Sequence, residues 1–186
     1  MIKAGQISKG MFLKFKNEPY LVADREFVNP GKGTAFVRLK LKSLMSGAVL
    51  RQTVKSQESV EDIIVEEKKA QFLYMDNDDY HFMDNETFEQ YEIPIEGMER
   101  QKNFLKEGEE FYVVFYEDRP IDIKLPFKMV FTITEAEHAE KGDTVTGATK
   151  MVTVETGFKV KVPIFIKQGE RIMINTETGD YVERVN

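Results

Sequence analysis

Apolar and polar residues alternate with period two along most of the chain. In "AFVRLKLKS", residues 35–43, Ala35, Val37, Leu39 and Leu41 fall on one side and Phe36, Arg38, Lys40 and Lys42 on the other. That pattern predicts a half-buried strand with a basic outer face. "PYLVADREFV" before it also reads as extended. Further strand–turn–strand signals follow in "QFLYM-DNDD-YHFMD", "FYVVFY-EDRP-IDIKL", "VTV-ETG-FKVKVPIFI" and "RIMIN-TETG-DYVERV". Turn residues recurring at short intervals predict an all-β chain of barrels or sandwiches. Helical spacing is rare. "GMERQKNFLKEG" sets Met98, Gln101 and Leu105 at helix intervals and stops at Gly108, which suits a short helix or a 3₁₀ turn. "NETFEQY", residues 85–91, is a second short helical candidate.

An internal echo divides the chain. "KEGEE" (106–110) and "KQGER" (167–171) lie 61 residues apart, and each precedes a strand–turn–strand signal. Charge changes in step with it. Residues 1–63 hold 11 Lys/Arg and 6 Asp/Glu, a balance of +5; residues 64–126 hold 7 and 17, −10; residues 127–186 hold 8 and 9, −1. Three units are therefore expected, 1–63, 64–126 and 127–186. Units so small are marginal alone, so neighbours should dock on one another. No stretch between them is Gly/Ser- or Pro-rich, which predicts a stiff assembly. A basic first unit beside an acidic middle suggests a polyanionic partner for one end.

Composition narrows the chemistry. With 14 phenylalanines and no tryptophan, the core must be rich in Phe, Val and Ile. There is no cysteine, so disulfides, thiolate catalysis and Cys-bound zinc are excluded. "MIKAGQISKGMFLKF" has no apolar run of signal-peptide length, and no segment approaches the ~20 apolar residues of a membrane helix. A cytoplasmic protein without a membrane partner is expected. Enzyme signatures are missing: His81 and His138 are the only histidines, and neither HExxH nor GxSxG occurs. The acidic run "DNDDYHFMDNE" fails as a calcium loop, because His81 occupies the sixth position from Asp76, where glycine is needed. Neither a metal site, a cofactor nor a catalytic residue is expected.

One loop stands out. "NPGKG", residues 29–33, joins two strand-like runs and places Lys32 between two glycines. A phosphate-binding loop would need another glycine five residues before Gly31, where Glu26 stands, and a helix afterwards, where a strand follows. Pro30 fixes one φ, while Gly31 and Gly33 permit positive φ and leave no side chain beside Lys32. The ammonium is thus projected beyond the turn. It reads either as a solvated turn lysine or, with Arg38, Lys40 and Lys42 on the strand below, as part of a surface for a phosphate backbone.

The chain also resembles the bacterial elongation factor P family along essentially its whole length. The likeness covers "GMFLKFKNEPYLV", "FVNPGKGTAFVRLKLKSLMSG", "TVKS", "YMDNDDYHFMDNETFEQ" and "KGDTVTGATKMVTVETGFKVKVPIFIKQGERIMINTETGDYVERV". Lys150, Val152, Gly157, Val162, Pro163 and Gly169 meet the family's C-terminal signature. The resemblance implies an SH3-like barrel followed by two OB-type barrels, L-shaped in outline. It implies a non-enzymatic translation factor, monomeric and cytoplasmic, that binds both ribosomal subunits between the peptidyl and exit tRNA sites. Such a factor relieves stalls at consecutive prolines by positioning the CCA end of the peptidyl-tRNA. Lys32 matches the tip that contacts the CCA end and that a lysine-modifying enzyme extends, for example with β-lysine or aminopentanol. Asn29, Pro30, Gly31 and Gly33 match the loop presenting it. Gly142, Asp143, Thr144 and Gly147 match a contact at the exit-site codon on the small subunit, with Tyr181 and Arg184 as a further contact there. Met151 replaces a common proline, and Asn29 a common basic residue, which removes a charge beside the loop. The alternative is a general single-stranded nucleic-acid binder built on OB barrels; the acidic middle unit argues against it.

Overall fold

A computed structural model describes residues 1–136 and 148–186. His138 and the predicted contact residues Gly142, Asp143, Thr144 and Gly147 lie outside the described residues. The fold is all-β, in three antiparallel sheets. The first contains β1 (Ile2–Lys3), β2 (Phe12–Phe15), β3 (Glu18–Val28), β4 (Phe36–Ser43), β5 (Val49–Lys55) and β6 (Ser59–Asp62), in spatial order β1-β6-β2-β3-β4-β5. Its two ends meet: Gly5 N–H donates to the Ser56 carbonyl and Ala4 N–H to that of Glu58, both at 2.9 Å. The result is a small closed barrel around Leu13, Val22, Val37, Leu39 and Leu41. The period-two pattern holds in β4, where Val37, Leu39 and Leu41 are buried and Arg38 and Lys40 exposed.

The second sheet runs β11-β10-β7-β8-β9, from β7 (Glu66–Met75), β8 (Asp79–Asp84), β9 (Gln90–Pro94), β10 (Glu110–Tyr116) and β11 (Arg119–Lys124). The third runs β14-β13-β12-β15-β16, from β12 (Lys128–Ala136), β13 (Thr149–Val154), β14 (Lys159–Pro163), β15 (Arg171–Asn175) and β16 (Tyr181–Val185). In both, the first strand is central, with its next two strands on one side and the last two on the other. End strands β9 and β11 approach each other, as do β14 and β16, so each sheet curls into a five-stranded barrel of OB type.

The 61-residue echo is a repeat of hydrogen bonding as well as of letters. Gly108 N–H donates to the Phe72 carbonyl at 2.8 Å, and Phe72 N–H donates to Glu109 at 2.9 Å. Gly169 and Glu170 do the same with Ile133, at 2.9 and 3.0 Å. Both glycines take positive φ, +81° and +83°, which the turn requires. Both anchor strands shift register just after the anchored residue, between Phe72 and Tyr74 and between Ile133 and Glu135.

Of the two readings of the 98–105 segment, the structure takes the 3₁₀ turn, at Gln101–Asn103. Two expectations need correction. Residues 85–91 form no helix: the Asp84 carboxylate accepts the N–H groups of Glu86 and Thr87, Phe88 takes φ +61°, and the chain enters β9. "IFI" after Pro163 is likewise a turn rather than strand, with Ile166 N–H bonded to the Pro163 carbonyl at 3.1 Å.

The barrels dock as their small size demands. Middle and last barrels share one buried cluster. Phe104, 1% exposed, leaves the 3₁₀ turn of the middle barrel and packs 6.2 Å from Phe131 and 5.3 Å from Phe158 of the last, centroid to centroid. Around it, Lys106 Nζ donates to the Val130 carbonyl at 3.1 Å and Thr156 Oγ1 to that of Asn103 at 2.7 Å. First and middle barrels meet over Phe12, Val114 and Ile121. There the backbones touch: a Cβ on Gly47 would lie 2.5 Å from Gly97 Cα. Among the described residues no helix is long and apolar enough to cross a membrane.

Phe104→Ala should cost about 3–5 kcal/mol, because it leaves a cavity between two barrels that cannot close without shifting both. Urea denaturation followed by far-ultraviolet circular dichroism checks this. A second prediction concerns Asp122, half-buried at the seam between the first and middle barrels. Burial pushes its carboxyl above the ordinary value, against the Ile123 N–H and the charges of Lys42 and Lys124. A pKa higher in the folded than in the unfolded chain means that the folded state binds the proton more tightly. Its contribution to stability is then present at acid pH and falls as pH rises from the ordinary carboxylate range through the raised value. Asp122→Asn should flatten that fall and leave the melting temperature near neutral pH unchanged or higher, as thermal melts across pH will read.

Candidate functional site: a lysine-tipped hairpin

Strands β3 and β4 form the longest hairpin of the first barrel, paired from Tyr20↔Ser43 to Val28↔Phe36. Val22 and Leu41 face each other inside the barrel, Leu39 and Val37 are buried further along β4, and this burial fixes the register. The hairpin therefore ends at a defined place, and residues 29–35 extend past it without strand pairing. Lys32 is exposed there and, among the described residues, bonds to nothing. A Cβ at Gly31 or Gly33 would meet nothing within 4 Å, so the tip stands clear of the other described residues. Only Gly33 uses the freedom expected of both glycines, at φ +112°; Gly31 does not take positive φ. Asn29 is exposed and Pro30 partly buried at the loop's start.

The basic face below the tip is more partnered than alternation alone suggested. Arg38 lies opposite Glu26, Nη1 to Oε2 at 3.2 Å, and its guanidinium sits 5.5 Å from the Phe36 ring centre. Lys40 is exposed between Asp24 on β3 and Arg51 on β5. Asp24, Glu26, Arg38, Lys40, Arg51 and Thr53 line an open groove of about 540 Å³. Lys42 is half-buried and faces the middle barrel, where its charge favours the ionised forms of Glu99 and Asp122. The structure thus brings Arg38 and Lys40 together and turns Lys42 towards the seam. Arg51 joins them unannounced, because only strand register reveals that it stands beside Lys40. In the last barrel, Tyr181 is half-buried against the shared core and Arg184 Nη1 is held by Glu170 Oε1 at 3.2 Å.

This arrangement can position a polyanion. It offers a projected ammonium and an exposed Lys/Arg row above a rigid sheet, and phosphate contacts of that kind fix orientation without reading bases. A solved structure described as eukaryotic translation initiation factor 5A from Methanococcus jannaschii is similar over 66% of this chain and 90% of its own, at a TM-score of 0.50 and 25% identity. The fold class is that of translation factors built from consecutive small β-barrels. Family descriptions then match in order: an elongation factor P KOW-like domain over residues 3–60, an elongation factor P OB domain over 65–123, and an elongation factor P C-terminal domain over 129–184. Elongation factor P of Treponema denticola is 50% identical over 186 residues, the full length of both chains. That of Treponema pallidum subsp. pallidum is 52% identical, again over the full length of both, and that of Borrelia hermsii 45%, over 99% of this chain and 97% of its own. The chain belongs to the elongation factor P family and is a translation elongation factor.

Lys32→Ala should leave the unfolding free energy within about 0.5 kcal/mol of the original, since among the described residues the side chain makes no hydrogen bond or ion pair. Thermal and urea denaturation measure it; a larger loss would show that Lys32 holds its own loop.

Proposed function

We propose that the factor binds the ribosome between the peptidyl and exit tRNA sites and speeds peptide-bond formation where consecutive prolines stall it. The observation that carries this reading is Lys32, a cation beyond the β3–β4 hairpin with nothing among the described residues packed beside its flanking glycines. Its task is to reach the CCA end of the peptidyl-tRNA, after covalent extension by a lysine-modifying enzyme with a group such as β-lysine or aminopentanol. Asn29, Pro30, Gly31 and Gly33 present it. Arg38 and Lys40, with Arg51, hold the RNA backbone, and Lys42 supports them from the seam. Gly142, Asp143, Thr144 and Gly147 approach the exit-site codon on the small subunit, with Tyr181 and Arg184 nearby.

Proline is a constrained donor and a poor acceptor, so lost orientation slows transfer. Holding the reacting end in place lowers the entropic part of the barrier, and effective molarities show that this can contribute several kcal/mol. The ribosome makes the bond; the factor supplies position and acts as a cytoplasmic monomer. The acidic β8–β9 region of the middle barrel would repel a nucleic acid laid across it, which weighs against a general single-stranded nucleic-acid binder.

Lys32→Ala should abolish rescue of a consecutive-proline reporter in a reconstituted translation system while the variant stays folded. Undiminished rescue would remove Lys32 from the mechanism.

A further inference from the structure

Two glycines on different barrels touch backbone to backbone. A Cβ on Gly47 of the first barrel would stand 2.5 Å from Gly97 Cα, and one on Gly97 of the middle barrel 2.8 Å from Gly47 Cα. Both take positive φ, +68° and +78°. Their turns explain that angle but not the closeness. Gly10 shows what a turn alone asks for: φ +87°, with nothing within 4 Å of an added Cβ. At Gly47 and Gly97 the obstacle is backbone, which cannot swing aside as a flexible side chain can.

Both turns are stiff. On the first barrel, buried Ser43 ends β4. Its Oγ accepts the N–H groups of Met45 and Ser46, each at 3.2 Å, and its carbonyl accepts Gly47 N–H at 2.9 Å. On the middle barrel, the Glu99 carboxylate accepts Gly97 N–H at 2.9 Å. The carbonyl of adjacent Met98 accepts the hydroxyl of fully buried Tyr80 at 2.8 Å. A wedge between these turns is therefore passed on to whole barrels.

Strand β4 links the contact to the hairpin tip. It runs from Phe36, beside the 29–35 loop, to Ser43, four residues before Gly47. Its seven steps span about 23 Å, so Lys32 stands at the end of a long arm. Widening the 2.5 Å approach to an ordinary carbon contact needs about 1 Å. The barrels are also held by the cluster of Phe12, Val114 and Ile121. With that cluster as a pivot roughly 10 Å away, the depth of one packed layer, the wedge turns the first barrel by about 6° and moves the tip by about 2 Å.

We infer that Gly47 and Gly97 are positioning residues: their contact sets the angle at which the first barrel delivers Lys32. They act through the β3–β4 hairpin, and the inference rests on the ribosomal reading above. A misplacement of about 1 Å far from the chemistry can cost on the order of a hundredfold in rate.

The test compares Gly47→Ala, Gly97→Ala and Gly10→Ala in the full chain. All three put a side chain at positive φ and should lower the melting temperature alike; only the first two wedge the seam. In a reconstituted translation system at saturating factor, the seam variants should form a proline–proline bond about tenfold or more slowly. Their half-saturating concentration should stay within about twofold of the original, the split that marks lost positioning rather than lost binding. Gly10→Ala should match the original in both. The chain has no cysteine, so spin labels on exposed Lys55→Cys and Glu107→Cys report the distance between the first two barrels. Electron double resonance should show that distance changed in the seam variants and unchanged in Gly10→Ala. Full-rate rescue by a seam variant, an equal loss in Gly10→Ala, or a loss seen only as weaker binding overturns the inference. So does an unchanged label distance or a seam variant that no longer folds. If the original chain itself fails to speed the proline bond, the ribosomal reading falls, and this inference with it.

Discussion

The structure depends on the sharing of core between barrels too small to stand firmly alone. Phe104 is the centre of it. It leaves a 3₁₀ turn of the middle barrel, yet its neighbours Phe131 and Phe158 belong to the last. With its ring in place the two barrels bury a continuous cluster, and hydrogen bonds from Lys106 and Thr156 satisfy carbonyls around it. The first barrel is fixed by a smaller shared cluster of Phe12, Val114 and Ile121 and by a backbone contact between Gly47 and Gly97 that leaves no room for a side chain on either. Further polar links gather at one turn of the last barrel. Arg100 donates to the carbonyls of Thr176 and Glu177, and Lys9 of the first barrel pairs with the Glu177 carboxylate. That exposed ion pair adds little energy by itself, but it joins the first barrel to the last.

Docking of this kind gives the hairpin its meaning. A cation on a flexible arm would find a polyanion in many orientations. A cation on a barrel clamped to its neighbour is delivered to one place, which is what a positioning factor requires. Charge follows the same division of labour. The first barrel presents Lys32, Arg38, Lys40 and Arg51, whereas the middle barrel gathers carboxylates on β8, β9 and their turns.

Much of this was legible in the sequence, and the reasons are physical. Alternation is a local property of a strand, so β4, the β7–β8 and β10–β11 hairpins and the exposed Lys32 could be read directly. The 61-residue echo was legible because both OB-type barrels need a left-handed glycine at the same turn. What escaped were consequences of register and docking. Arg51 stands beside Lys40 only once β4 and β5 pair. Lys42 alternates with Arg38 and Lys40 but meets Glu99 and Asp122 across a seam that no local pattern encodes. The segment at 85–91 looked helical from its spacing, and a buried aspartate binding two successive N–H groups made it a turn. Its exposed Phe88 could not be distinguished from a core residue until the backbone showed φ +61°.

The central claim is that rigid barrels deliver the tip of the β3–β4 hairpin to the end of the peptidyl-tRNA. The most direct measurement is a cryo-electron microscopy reconstruction of the factor on a ribosome stalled at consecutive prolines. The predicted result is an ordered 29–35 loop with the Lys32 side chain, or its covalent extension, within about 3 Å of a phosphate or sugar oxygen of the CCA end. A factor bound with that loop against protein, or facing solvent away from the tRNA, would contradict it.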